Sequence, residues 1–353
     1  MKNMTQGNVM KLLLSFAVPV LLGNIFQQFY TMADTMMVGQ ILGVRALAAM
    51  GATASLSGLV IGLVSGVSMG VSILIAQYYG ARDQEGMKMA TYGCILLCMS
   101  SVVIIVLAAM LLKTPILSLL QTPKSILSMA DGYLTIIFMG LFITMAYNMM
   151  ASMLRSIGDS KTPLYFLIIA SLTNIALDYL FIAQLHLGIN GAGYATVLAQ
   201  LLSVVLCFLY MRKKYPMFFL KKEECHVERE VFLKQMSMGI SMGLMNSIVS
   251  IGSVVLQSAV NSLGEMTIAA HVAARKIVEM FMQPLISIAI AVTTFVSQNL
   301  GAKQYHRIRE GMKKSVWISF GWVGIVILLS FTCIDFFIGF LVNKQQTQVV
   351  SLA

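Results

Sequence analysis

Apolar positions run through this chain in long stretches, broken at intervals by short polar, glycine-containing or basic segments. Nine stretches approach or exceed the ~20 residues needed to cross a bilayer. They fall at roughly 12–38, 47–77, 90–112, 128–152, 163–184, 190–211, 232–262, 267–298 and 315–340. Each is expected to be a helix, because in lipid a spanning segment must satisfy its own backbone hydrogen bonds. Several exceed ~25 residues, which implies tilt or kinking, and Pro19 and Pro284 are candidate kinks. Lys2 and Lys11 precede or open the first stretch, and no small-residue cleavage site follows, so it reads as a first transmembrane helix rather than a removed leader.

Composition agrees. Mean hydropathy is +0.84 and only 11% of residues are charged, against about 25% in soluble domains. The fold class is therefore an all-α polytopic membrane protein. The net charge of +10 would suggest nucleic acid in a soluble chain. Here the basic residues cluster between apolar spans, where they set topology and meet lipid headgroups, so no nucleic-acid partner is expected. The N-terminus and the even-numbered loops hold 18 of the 24 Lys and Arg, and the odd-numbered loops hold 4. That asymmetry predicts a multi-pass plasma-membrane protein with a cytoplasmic N-terminus. The five cysteines, Cys94, Cys98, Cys207, Cys225 and Cys333, have no metal spacing and read as small packing residues.

The sequence repeats itself. "LGVRALAA" at 42–49 matches "LGEMTIAA" at 263–270, and "AQYYGAR" at 76–82 matches "SQNLGAK" at 297–303, both at an offset of 221. One shared offset predicts two six-helix lobes made by duplication, with the same orientation because six is even. The first lobe would be 1–221 and the second 222–353, joined through "MRKKYPMFFLKKEECHVERE" at 211–230. A full second copy would end near 442, and Ala353 corresponds to Gly132. The second lobe is thus expected to be incomplete, with about nine of twelve helices present and the chain a C-terminally truncated form or fragment.

The first lobe contains "PVLLGNIFQQFYTMADTMMVGQILGVRALAAMG" and "AQYYGA", and the second "IAAHVAARKIVEMFMQPLISIAIAVTTFVSQNLGAK". Together these resemble the multidrug and toxic compound extrusion (MATE) family. The resemblance implies a cation-coupled exporter of two six-helix lobes.

Two acids stand out. Asp34 and Asp178 lie near the outer ends of the first and fifth spans, at matched depth, where a charge is expensive without a task. Tyr30 and Asn174 each precede an acid by four residues and so share its helix face, and Thr196 lies near the start of the sixth span. The family's first-lobe proton site uses an acid in helix 1 and Asn-x-x-x-Asp in helix 5. By resemblance these are Asp34, Asn174 and Asp178, supported by Tyr30 and Thr196, and able to hold H+ or Na+. Asn148 and Glu279 are secondary candidates, the latter shadowed by Arg275 and Lys276. No catalytic constellation, cofactor loop or metal motif appears, so no enzyme activity or cofactor is expected.

The expected function is export of small organic compounds, cationic or amphipathic, by antiport with H+ or Na+, from a monomer surrounded by lipid. A lipid-linked glycan flippase is the alternative within transport, disfavoured because Arg275 and Lys276 are the only basic residues placed well inside a span. An integral-membrane enzyme or scaffold leaves the repeat and the paired acids without a purpose. Gly58, Gly62, Gly66 and Gly70 form a small-residue stripe for close helix packing. Most of the 28 methionines are expected to be apolar filler, with a minority lining a polyspecific cavity.

Overall fold

The computed structural model describes residues 3–120, 122–261 and 265–341. It is helical almost throughout: α1 Val9–Met37, α2 Val44–Val71, α3 Ile73–Ala81, α4 Gln84–Leu119, α5 Lys124–Met139, α6 Leu141–Ser156, α7 Lys161–Asp178, α8 Gly188–Lys214, α9 Arg229–Asn261, α10 Glu265–Gly301 and α11 Tyr305–Leu341.

All nine expected spans are helical, with differences in detail. Among the described residues seven helices are long and apolar enough to cross a membrane, and eight if α5 and α6, bent by 42° at Gly140, count as one span. The second expected span is broken at Ser72 into α2 and α3. The seventh is α9, 33 residues long but studded with Ser, Asn and Gln, which keeps it off the apolar set. Pro19, Pro115 and Pro284 all sit inside continuous helices, and α4 runs through Pro115 to Leu119, past the expected end at 112. Neighbouring helices can re-satisfy the carbonyl that a proline frees.

The segment before α1, the α3–α4 turn, the α6–α7 loop and the α10–α11 turn meet at one end of the molecule, hereafter the basic end. Two seams join there. In the first, α1 packs on α10 through an apolar cluster that buries Phe16, Leu13 and Val9 against Ala291 and Phe295. In the second, α2 crosses α9 at glycines. A Cβ on Gly66 would lie 2.6 Å from the Met242 carbonyl oxygen and 2.7 Å from the Gly243 Cα, and Gly70 meets Met238 and Gly239 as closely. With no hydrophobic force between helices in lipid, such backbone approach supplies the attraction. Gln235, fully buried, donates to the carbonyls of Val71 (2.9 Å) and Ala90 (2.8 Å), one of them freed where α2 ends. The expected glycine stripe is only half used: Gly62 is in ordinary contact with Asn246 and Ser250, but Gly58 has nothing within 4 Å. The helices part away from the basic end.

The repeat is visible in the backbone. Arg82 and Lys303, 221 residues apart, both adopt the left-handed conformation (φ 58° and 57°) just past a helix. Each ends its helix with the same pair of bonds: Arg82 N to Tyr79 O and Asp83 N to Tyr78 O, then Lys303 N to Leu300 O and Gln304 N to Asn299 O. The two copies also touch. A side chain on Gly80 would strike the backbone of Gln298, and one on Gly301 would strike the backbone of Gln77. Gln77 and Gln298 are themselves offset by 221, so the contact is reciprocal.

The basic end is strapped by the N-terminal segment. Gln298 Oε1 accepts from Met4 N at 3.0 Å while its Nε2 donates to Ser156 O at 2.7 Å. Arg307 donates to Asn299 Oδ1 (3.2 Å), Gly7 O (3.1 Å) and Met4 O (3.3 Å).

Candidate functional site

At the far end from the strap, α1 and α7 pack side by side. Asp34 on α1 is 4% exposed, and Asn174 and Asp178 on α7 are 2% and 0% exposed. The four-residue spacing puts Asn174 and Asp178 on the same buried face. Each acid is followed by an irregularity, immediately after Asp178 and one turn after Asp34. α1 widens into a π-helical turn at Val38–Leu42, and α7 into another at Tyr179–Gln184; the two turns contact one another. Widened turns of this kind cost helix geometry and are concentrated at functional sites. Gly43, at φ +82°, then carries the chain into α2 through a conformation that only glycine takes without strain.

The carboxylates of Asp34 and Asp178 lie within electrostatic reach of each other and of the Tyr30 and Tyr133 rings. Four side-chain oxygens, Asp34 Oδ1, Asn174 Oδ1, Asp178 Oδ1 and Asp178 Oδ2, are buried with no hydrogen-bond partner among the described residues. Asn174 Nδ2 reaches Thr196 Oγ1 only at 3.5 Å, the long limit of a hydrogen bond. A buried acceptor without a donor costs about 1–3 kcal/mol, and more if charged. Four such acceptors together make a pocket suited to a proton or a small cation, which would satisfy several at once.

The structure brings five expected residues to this place: Asp34, Asp178 and Asn174 buried, Tyr30 and Thr196 half-buried at its edge. It separates two others. Asn148 on α6 donates instead to Ser65 Oγ on α2 at 3.3 Å. Glu279 pairs with Arg275 at 3.0 Å, one turn away on α10. The side chains of Lys276, Cys333 and Asp335 lie outside the described residues. Tyr133 on α5, 8% exposed, belongs to the neighbourhood and was not anticipated, because no spacing rule connects it to α1 or α7. Among the described residues no three His, Cys, Asp or Glu side chains converge as metal ligands. The methionines of α6 are filler: Met145, Met149, Met150 and Met153 are all buried in the main core.

The MatE family model matches residues 19–180 and 241–353. The probable multidrug resistance protein YoeA of Bacillus subtilis (strain 168) is 29% identical over 343 residues, 95% of this chain and 74% of that protein. The probable multidrug resistance protein YpnP of the same strain is 30% identical over 305 residues, 86% of this chain and 68% of that one. Among solved structures, the outward-facing conformation of a multidrug resistance MATE family transporter of the MOP superfamily superposes with a TM-score of 0.90 at 23% identity, covering 99% of this chain and 78% of that one.

Proposed function

The chain belongs to the MatE family, a family of transporters and not of enzymes, and on that premise we propose that it exports small organic compounds, cationic or amphipathic, by antiport with H+ or Na+. The observation that carries this reading is the set of four unpartnered buried oxygens on Asp34, Asn174 and Asp178. A proton or cation entering there neutralises one carboxylate and gives the acceptors a donor or a metal to bind. Its departure returns charge to a buried place. Binding therefore biases the arrangement of α1 against α7, the kind of two-state element that a coupling ion must act on. Tyr30, Tyr133 and Thr196 line the approach and supply hydroxyls to the occupied state.

The rest of the reading follows from position. The basic end faces the cytoplasm of a plasma-membrane monomer, as the 18-to-4 split of basic residues favours. The parting of α2 from α9 beyond Gly62 opens the outer side between two lobes, 1–221 and 222–353. The test uses Asp34→Asn, Asp178→Asn and the double variant in proteoliposomes, with expression, compound binding and gradient-driven efflux measured on each. Each single variant is expected to insert and to bind compound, yet to lose uphill efflux, and the double to be no worse, since groups acting as one unit are not additive. Near-normal uphill efflux by Asp34→Asn would show that the coupling ion binds elsewhere.

A further inference from the structure

A small polar cavity lies at the basic end between the α2–α3 break, the end of α6 and α10. It sits about one turn inside the reciprocal contact of Gly80 and Gly301. Its chemistry is opposite to that of the aspartate pocket, because no carboxylate lines it. Arg155 does, half-buried, its Nη2 donating to Ser152 Oγ at 2.9 Å. Among the described residues Arg155 enters no ion pair.

Several hydroxyls around it are spent on their own helices: Ser72 on Met69 O, Ser156 on Met153 O and Thr293 on Ala289 O. Others are not. Thr294 and Ser297, 7% and 5% exposed, line the cavity and make no hydrogen bond with another described residue. Ser152 accepts from Arg155 and keeps its own hydrogen free. A charge near the end of α6 also suits the helix dipole. That explains where Arg155 stands but not why unspent donors from α6 and α10 face the same space.

We propose that this cavity binds a small inorganic anion of chloride size, held by the Arg155 guanidinium and the hydroxyl hydrogens of Ser152, Thr294 and Ser297. The cavity volume, about 20 Å³ for the centre of a water-sized sphere, is enough for a single small ion. The anion would join α6 to α10 beside the Gly80/Gly301 contact, so its binding favours the arrangement in which the basic end is shut. The proposal is independent of the coupling reading: it concerns other residues at the other end.

The test is chloride-35 line broadening on the full chain in detergent, with thermal unfolding across a chloride series at constant ionic strength, gluconate replacing chloride. Wild type is expected to broaden the line saturably, with bromide displacing it. Its unfolding temperature should rise with chloride, as binding to the folded state requires. Arg155→Gln should abolish both effects, and the Thr294→Val/Ser297→Ala pair should weaken affinity at least tenfold. Arg155→Lys, which keeps the charge and loses the fork, should retain weaker binding and serves if Arg155→Gln does not fold. Broadening no greater than that of empty micelles, or equal in wild type and all variants, overturns the proposal. So does stabilisation by sulfate or phosphate without any by chloride.

Discussion

The two copies of the repeat agree at one end of the molecule and disagree at the other. At the basic end they match to the level of single hydrogen bonds: the same helix termination at Arg82 and Lys303, and the same glycine against the partner's glutamine backbone. At the far end the likeness is confined to the turn sequence, "LGVRALAA" against "LGEMTIAA", and the helix faces leading to it differ. Asp34 shifted by the offset falls on Val255, 64% exposed, and Tyr30 falls on Ile251, 49% exposed. Even beside the matching turn the chemistry drifts. Gly86 in the first copy lies against the Tyr78 ring, while its counterpart Arg307 donates to Asn299. Where each copy contacts the other, the backbone is held in common. Where it does not, the copies have been free to specialise, and the acidic pocket is on one of them.

The largest effect should come from moving the acid. Asp34→Asn alone should reduce gradient-driven efflux to background, and adding Val255→Asp should restore none of it, because Val255 is 64% exposed and gives an acid none of the burial that Asp34 has. Val255→Asn should leave efflux near wild type. Efflux assays on the three variants decide whether the far ends are truly unequal; recovery in the double variant would make the copies interchangeable there.

Next come the glycines that make the basic ends equal. Gly80→Val and Gly301→Val each push a side chain into backbone that cannot rotate away, and each should cost about 3 kcal/mol, the upper part of the range for overpacking. Their effects should be similar in size and less than additive when combined, since both disrupt one crossing. Unfolding in detergent measures all three, and a cost for one glycine but not the other would break the symmetry.

How far all this was readable in advance depends on whether sequence spacing or cross-helix contact decided it. The spans, the common basic end, the offset and the pairing of Asn174 with Asp178 on one face follow from apolar runs, charge and helical period, which are local. The π-turns after Asp34 and Asp178 do not, because widening by one residue leaves no mark in composition. The breaks at Ser72 and Gly140 hide within unbroken apolar runs. Asn148 looked free to join the acids until α2 offered it Ser65. Gly58 repeats every four residues with Gly62, Gly66 and Gly70, yet α9 has already diverged from it.

That divergence supplies a smaller test. Gly70→Ala should cost about 1–3 kcal/mol by separating α2 from α9. Gly58→Ala, with open space around it, should stabilise by up to about 1 kcal/mol through helix propensity. The same unfolding measurement resolves them, and equal effects would mean that the seam is uniform along its length.

The smallest effect concerns a cap with no described counterpart in the second copy. Asp159, in the α6–α7 loop, accepts from Tyr215 Oη at 2.6 Å and Thr162 Oγ1 at 2.7 Å. Burial pushes its carboxyl up, but these hydrogen bonds outweigh that and hold it below its ordinary value. A carboxylate lowered by folding stabilises the fold above its unfolded pKa of about 3.9, and the contribution disappears as pH falls through the lower folded value. Tyr215→Phe should therefore cost about 1 kcal/mol at pH 7, the low end for a bond to a half-exposed charge, and progressively less in acid. A penalty independent of pH would mean that the phenol matters only by packing.

The N-terminal strap has a consequence for how the protein is made. Met4 and Gly7 are fastened by Arg307, some 300 positions later in the chain. At roughly 5–20 residues per second of synthesis, the strap segment waits about 15–60 s for its partner to be made. Throughout that interval α1 can sit in the bilayer, but its leading segment has neither Gln298 nor Arg307 to hold it. A segment translated well before its partners is thus among the last to be secured, and the strap closes only on a chain whose α10 and the start of α11 have already been laid down.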